Sequence, residues 1–254
     1  MEYSVCISAV YQGLPAAEAV RRVSAAGFGA FEFWSWWDQD LDAIRAAALE
    51  TGTHAAGMCT RFVPLTVPEA RDEYIAGLRE SVAAAKRLGC PMLISQVGQA
   101  VPGVPREEQR QSIVDGLRAC APILEGEGVT LTVEPLNTLV DHRGYFLERS
   151  DEASEILRAV DSPRVRMLFD VYHQQITEGN LIDNLTRYIS QIGHVHIAGN
   201  PRRHEPLINS EVHYPTIIRT LRELGYDGAV GLEYFPTRDP DEGLREILTR
   251  MPIE

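Results

Sequence analysis

Residues 126–135 read GEGVTLTVEP, and this decapeptide decides the fold. Gly128 stops the amphipathic stretch before it, because a residue free to take positive φ is what most often ends a helix. Val129–Val133 follows as a short run rich in β-branched side chains, the appearance of a strand buried on both faces. Glu134 and Pro135 then break the run.

The same device (helix, glycine, a residue or two, apolar run) recurs in AAGFGAFEF (25–33), RLGCPMLI (87–94), QIGHVHI (191–197) and LGYDGAVGLEYF (224–235). Strands are predicted over Tyr3–Val10, Ala30–Phe33, His54–Cys59, Pro91–Ser95, Val129–Val133, Arg166–Phe169, Gly193–Ile197 and Gly228–Leu232. Helical spacing separates them over Pro15–Ala26, Leu41–Leu49, Pro68–Leu88, Arg106–Leu124, Asp151–Val160, Leu181–Ile192, Tyr214–Leu224 and Asp241–Met251. Strand and helix in strict alternation imply parallel strands joined by right-handed crossovers. Eight such units in 254 residues favour closure into an α/β (β/α)8 TIM barrel over an open sheet. No Pro/Gly/Ser-rich gap interrupts the series, so residues 1–254 are expected to form one barrel domain.

Charge narrows the function. Lys and Arg number 24 against 36 Asp and Glu, a formal net charge of −12. Such a surface disfavours nucleic acid, whose affinity rests largely on cations that displace counterions. There is no GxGxxG after the first strand and no GxxxxGK[ST], so nucleotide binding lacks its usual signature. Cys6, Cys59, Cys90 and Cys120 show no CxxC spacing and read as buried free thiols of a reducing compartment. The N-terminus lacks the pattern of a signal peptide, and no apolar stretch reaches the roughly 20 residues that span a bilayer. A cytoplasmic, membrane-free protein acting on a small molecule is expected, with a homo-oligomer open.

In such a barrel, chemistry sits at the C-terminal ends of the strands. Glu134 follows VTLTV, Asp170 follows RMLF, His196 sits in HVHIAG and Glu233 follows AVGL. They close strands five to eight and are therefore neighbours around half of the barrel mouth. Unpartnered carboxylates are costly to desolvate, whereas one divalent cation satisfies several at once. Three carboxylates and an imidazole suit Mn2+ or Mg2+, and also Co2+, better than structural zinc. His173, three residues after Asp170, and Arg203 with His204 in the loop after strand seven are candidate substrate contacts. With Arg202, Arg203 and His204 form a loop suited to hold a carboxylate or a polarised carbonyl, and Glu205 is an expected partner of Arg202 or Arg203. His142, Arg143, Glu32 and Gln96 are weaker candidates. Trp34, Trp36 and Trp37 form either an apolar wall over the site or a patch packing their loop on the rim.

The strings VEPLN (133–137), GYFL (144–147), LFDVYHQQITEGNL (168–181), HVHIAGNPRRHEP (194–206) and GLEYFP (231–236) resemble the hydroxypyruvate isomerase family, within the xylose isomerase-like sugar isomerase/epimerase barrels. The match is densest from Val129 to Pro236. The resemblance implies a divalent metal on Glu134, Asp170, His196 and Glu233, with Glu134 and Glu233 as the acid–base pair and His173 and Arg203 on the substrate. The chain departs from it at two positions. Hydroxypyruvate isomerases carry Gln where His196 stands and Asp where Gly199 stands, whereas ketose 3-epimerases carry His at the first. The expected reaction is isomerisation of hydroxypyruvate, or a similar small hydroxy-carbonyl acid, to tartronate semialdehyde through an enediolate. Epimerisation of a free ketose at C3 is the alternative. A DNA-repair endonuclease on the same barrel is disfavoured by charge and by only seven histidines, and a non-catalytic barrel by the full ligand set.

Overall fold

The computed structural model describes residues 1–207 and 209–253. Eight parallel strands close on themselves in sequence order: β1 (Glu2–Cys6), β2 (Ala30–Phe33), β3 (His54–Cys59), β4 (Met92–Ser95), β5 (Thr130–Val133), β6 (Val165–Asp170), β7 (Ile192–Ile197) and β8 (Ala229–Leu232). The closing seam pairs Glu2 with Ala229 through Val5 with Leu232. The helices around them are α1 (Ile7–Val10), α2 (Ala16–Ala25), α3 (Leu41–Thr51), α4 (Arg71–Leu88), α5 (Arg106–Glu127), α6 (Ser150–Val160), α7 (Val171–Thr177), α8 (Leu181–Tyr188), α9 (Tyr214–Glu223) and α10 (Pro240–Arg250). The fold is the expected TIM barrel. Among the described residues no helix is long and apolar enough to cross a membrane.

The local signals act as read. Gly89 and Gly128 take left-handed φ of 69° and 70° at the ends of α4 and α5, a region open to glycine without cost. Asp40 caps α3 by accepting from the backbone N–H groups of Asp42 and Ala43 at 3.1 and 3.0 Å. Beyond their first one or two residues, where Glu2 and His54 are exposed, the strands are buried on both faces, one side packed under the helices and the other filling the barrel.

Three expectations need correction. The run Tyr3–Val10 is a strand only through Cys6, after which Ile7–Val10 form one buried helical turn. An apolar run alone does not separate a strand from a buried helix. The helix expected over Leu181–Ile192 stops at Tyr188, and Ile192 already belongs to β7. Between β6 and α8 lies the unforeseen α7, started by Asp170, whose Oδ1 accepts from Tyr172 N at 2.8 Å and His173 N at 3.3 Å.

Candidate metal centre and substrate cavity

Glu134, Asp170, His196 and Glu233 converge at the mouth. Each offers one ligand atom, these atoms lie within 4.8 Å of one another, and all four residues are buried. Strand register explains this: Asp170 pairs with His196 across β6 and β7, and His196 with Gly231 across β7 and β8. Glu233 stands two residues beyond Gly231 and so on the same face. Asp170 divides its labour, since Oδ1 caps α7 and Oδ2 faces the cluster, 3.6 Å from His173 Nε2 and 3.2 Å from Arg203.

Glu233 Oε1 accepts from Trp34 Nε1 at 2.6 Å, while Oε2 meets Arg203 and lies 3.1 Å from His196 Nδ1. Glu134 Oε2 accepts from Gln96 Nε2 at 3.4 Å. His173 Nδ1 lies 3.3 Å from the backbone N–H of Asn137 and 2.6 Å from its side-chain amide nitrogen, both donors. Nδ1 is therefore the acceptor, and the ring proton sits on Nε2, which is buried without a partner. Arg202 and Arg203 take positive φ of 79° and 58°, a backbone state that costs non-glycine residues roughly 1–3 kcal/mol each. That turn brings Arg203 back over Asp170 and Glu233, pinned by Phe235 N–H donating to the Arg203 carbonyl at 2.8 Å.

Electrostatics report the crowding. Burial first, and Glu233 second, push the Glu134 carboxyl up to about 8. Burial likewise raises Asp170 despite Arg203 and His196. At Glu233 burial is outweighed by Arg203 and His196, which hold it well below the usual carboxylate range. Burial disfavours a charged His196, yet Glu233 and Glu32 beside it keep its pKa well above the usual imidazole value. Burial, with Arg203 and His142 adding to it, keeps His173 neutral.

The donor set fits a divalent cation. Glu134 Oε1 and His196 Nδ1 are buried with no hydrogen-bond partner, although buried polar atoms are nearly always satisfied. Both belong to the cluster, and an oxygen-rich set with one imidazole suits a hard or borderline ion.

A cavity of about 550 Å³ opens above the cluster. Trp34, Phe33, Phe62, Leu136 and Phe235 supply apolar walls, and Gln96, Gln99, Asp141, His142 and His173 supply polar points. Trp34 is thus a wall of the site, whereas Trp36 donates to Ser81 Oγ at 3.1 Å and Trp37 packs edge-on to Phe62, so those two hold the loop to the rim. Cys6 and Cys59, buried and free as expected, also line the cavity.

Three assignments change. His204 does not line the cavity: its Nδ1 lies 2.9 Å from the Phe235 carbonyl, so the ring ties the loop to the end of β8. Glu205 pairs with neither Arg202 nor Arg203 but accepts from Thr237 N and Oγ1, both at 2.9 Å, beside Arg238. Arg143 is exposed and outside the cavity, whereas His142 lines it. Sequence reasoning undervalued Glu32 and passed over His194 as a site residue. Glu32 Oε2 meets His196 Nε2 at 2.9 Å and Oε1 meets His194 Nε2 at 3.1 Å. The available signals were a lone acid inside the apolar strand AFEF and two histidines at period two on one strand face.

A family model described as xylose isomerase-like TIM barrel matches residues 20–252. The chain belongs to this xylose isomerase-like TIM barrel family. A protein of Danio rerio named putative hydroxypyruvate isomerase is 32% identical over 96% of this chain and 93% of its own length. A Cupriavidus necator protein named 2-oxo-tetronate isomerase is 40% identical over 55% of this chain and 53% of its own length. Among solved structures, one titled AP endonuclease, family 2 from Brucella melitensis superposes with a TM-score of 0.93 at 28% identity, covering 99% of this chain and 100% of that one. The family member described here thus joins a closed barrel to a buried carboxylate–histidine cluster.

Proposed function

We propose that this chain is a metal-dependent isomerase of a small α-hydroxy carbonyl acid, with hydroxypyruvate and tartronate semialdehyde as the pair, working as one barrel domain. The carrying observation is that Glu134 and Glu233 reach the same cavity with Asp170 and His196 beside them, leaving two buried ligand atoms unpartnered. Glu134, Asp170, His196 and Glu233 would hold Mn2+ or Mg2+. The bound ion supplies Lewis-acid stabilisation of negative charge on adjacent substrate oxygens.

The chain's own groups do the rest. One glutamate takes the proton from C3, the electron pair forms the C2–C3 double bond of an enediolate, and a proton returned to C2 completes the shift. The hydroxyl proton passes from O3 to O2, so atoms and electrons balance. His173 presents Nε2–H toward the cavity as a neutral donor, and Arg203 offers its guanidinium to the carboxylate. Apolar walls from Trp34, Phe33 and Phe235 keep water off the enediolate. The decisive variant is Glu233→Gln, followed by metal content, turnover and deuterium uptake into substrate from deuterated water. Loss of exchange and turnover is expected, and retention of both ends the assignment.

A second reading, C3 epimerisation of a free ketose, is favoured by one observation. Arg203 is the sole lysine or arginine among the described residues lining the cavity, and it already bonds Asp170 and Glu233. Arg203→Ala separates the two readings: hydroxypyruvate turnover should fall at least tenfold further than ketose turnover.

A further inference from the structure

Below the cluster, the barrel interior carries a charged layer where apolar side chains usually stack. Strand β2 neighbours only β1 and β3, so contact between Glu32 and β7 has to cross the barrel. It does: Glu32 Oε2 lies 2.9 Å from His196 Nε2, and Oε1 lies 3.1 Å from His194 Nε2 and also accepts from Ser4 Oγ. The two imidazoles meet edge-on at 4.8 Å between centroids. Glu32, Ser4 and His194 are all buried.

The layer is packed around these groups. A Cβ placed on Gly231 would fall 2.5 Å from Glu32 Oε1, 2.5 Å from His196 Cδ2 and 2.9 Å from His196 Nε2. Glu32, His194 and His196 offer atoms close enough to hold a second ion. The pairwise distances are those of direct N–H···O bonds, and each Glu32 oxygen is already taken by a donor. The layer therefore reads as a hydrogen-bonded support.

We propose that Glu32 is a positioning residue: by accepting from His196 Nε2–H it keeps the proton on that nitrogen and fixes the ring's rotation, so that Nδ1 is the nitrogen turned toward Glu134 and Glu233 and the one that a cation, on displacing any proton there, would take. The inference rests on the reading of His196 as a metal ligand. A carboxylate is required because it accepts on both oxygens. An amide has one acceptor oxygen, and its NH2 would meet the N–H of one histidine. His194 and Ser4 act on Glu32 in turn, holding the carboxylate that holds the ring. Carboxylate support of a ligating histidine both orients the ring and raises its basicity.

The experiment uses the full chain. In protein labelled with 15N-histidine, His196 Nε2 should carry a proton both without metal and with Mg2+. A bare Nε2 in either state overturns the inference. Mn2+ affinity, measured by chelator competition, should weaken about 10–100-fold in Glu32→Gln, with the His196 nitrogen shifts displaced from wild type. An unchanged Mn2+ affinity overturns it. Should wild type bind no Mn2+, the metal reading fails by itself, and the state of His196 Nε2 still decides the role of Glu32. Should Glu32→Gln not fold, the wild-type nitrogen spectrum decides it equally.

Discussion

Gly231→Ala adds one methyl group and reports on the layer beneath the cluster. Gly231 has no left-handed φ, so alanine meets no backbone penalty, and the whole effect is steric. The new Cβ would sit 2.5 Å from both Glu32 Oε1 and His196 Cδ2, about 1 Å inside the separation at which carbon atoms pack. Neither neighbour has a free direction, because Glu32 is bonded across the barrel and His196 is wedged between Glu32 and Glu233. Overpacking of this kind costs about 1–3 kcal/mol, and the displaced ring should weaken Mn2+ binding at least tenfold. The assay is denaturant unfolding of the metal-free protein, followed by Mn2+ titration of the folded variant. Gly126→Ala is the control: nothing lies within 4 Å of its Cβ, it is in α5, and alanine there should stabilise by about 0.5–1 kcal/mol. A Gly231→Ala protein with wild-type stability and wild-type Mn2+ affinity would refute the packing argument.

Other outcomes follow from single contacts. Trp34→Phe keeps the apolar wall but deletes the N–H donated to Glu233; hydrogen bonds to charged groups contribute about 1.5–3 kcal/mol, so kcat/KM should drop roughly 10–150-fold, and a change under twofold removes Trp34 from the mechanism. Excess Mn2+ at 100 times its Kd should raise stability by about 2.7 kcal/mol, and chelator should abolish the gain; no shift means that the cluster holds no ion. At Asp241, burial tends to raise the pKa, but bonds from Arg22 and Tyr11 leave it lowered in the folded state. A depressed carboxyl stabilises above its unfolded pKa of about 4 and loses that contribution as pH falls through the folded value. Asp241→Asn should therefore cost about 0.5–1 kcal/mol at pH 7 and progressively less as the pH falls below about 4, as read by urea unfolding; a cost independent of pH contradicts this.

The barrel and the four clustered residues were legible because both depend on local pattern. Each strand is a short apolar run, and Glu134, Asp170, His196 and Glu233 each close one, so their convergence follows from knowing where strands end. What escaped depends on contacts across the barrel or on loop backbone. Glu32 and His196 stand 164 positions apart on strands that do not pair, and only closure brings them together. The loop after β7 was misread for another reason. Two consecutive arginines with positive φ turn Arg203 inward while His204 and Glu205 turn toward Phe235 and Thr237. Side chains favour no such backbone locally, so residue type alone does not announce it. Gly199 belongs to the same turn, since any Cβ there would meet the Glu205 carbonyl at 2.5 Å.

Charge is what makes the substrate a sharp question. Glu32, Glu134, Asp141 and Glu233 line the cavity, with Asp170 just behind, against one arginine. A divalent ion adds two positive charges, so a neutral ketose needs no further cation as its enediolate forms. A hydroxy-carbonyl acid brings its own carboxylate into a site still rich in acids, and among the described residues lining the cavity Arg203 is the sole lysine or arginine to meet it. Arg203 is already shared by Asp170 and Glu233, so binding an acid requires that at least one of those bonds loosen. A cation on Asp170 and Glu233 would loosen them, because those oxygens then have a stronger partner than the guanidinium. On this logic, affinity for an anionic substrate should depend on metal far more steeply than affinity for a neutral one. Binding of hydroxypyruvate to the metal-free chain as tight as to the Mn2+-loaded chain would show that Arg203 is free already, and that the balance of charges does not set the substrate.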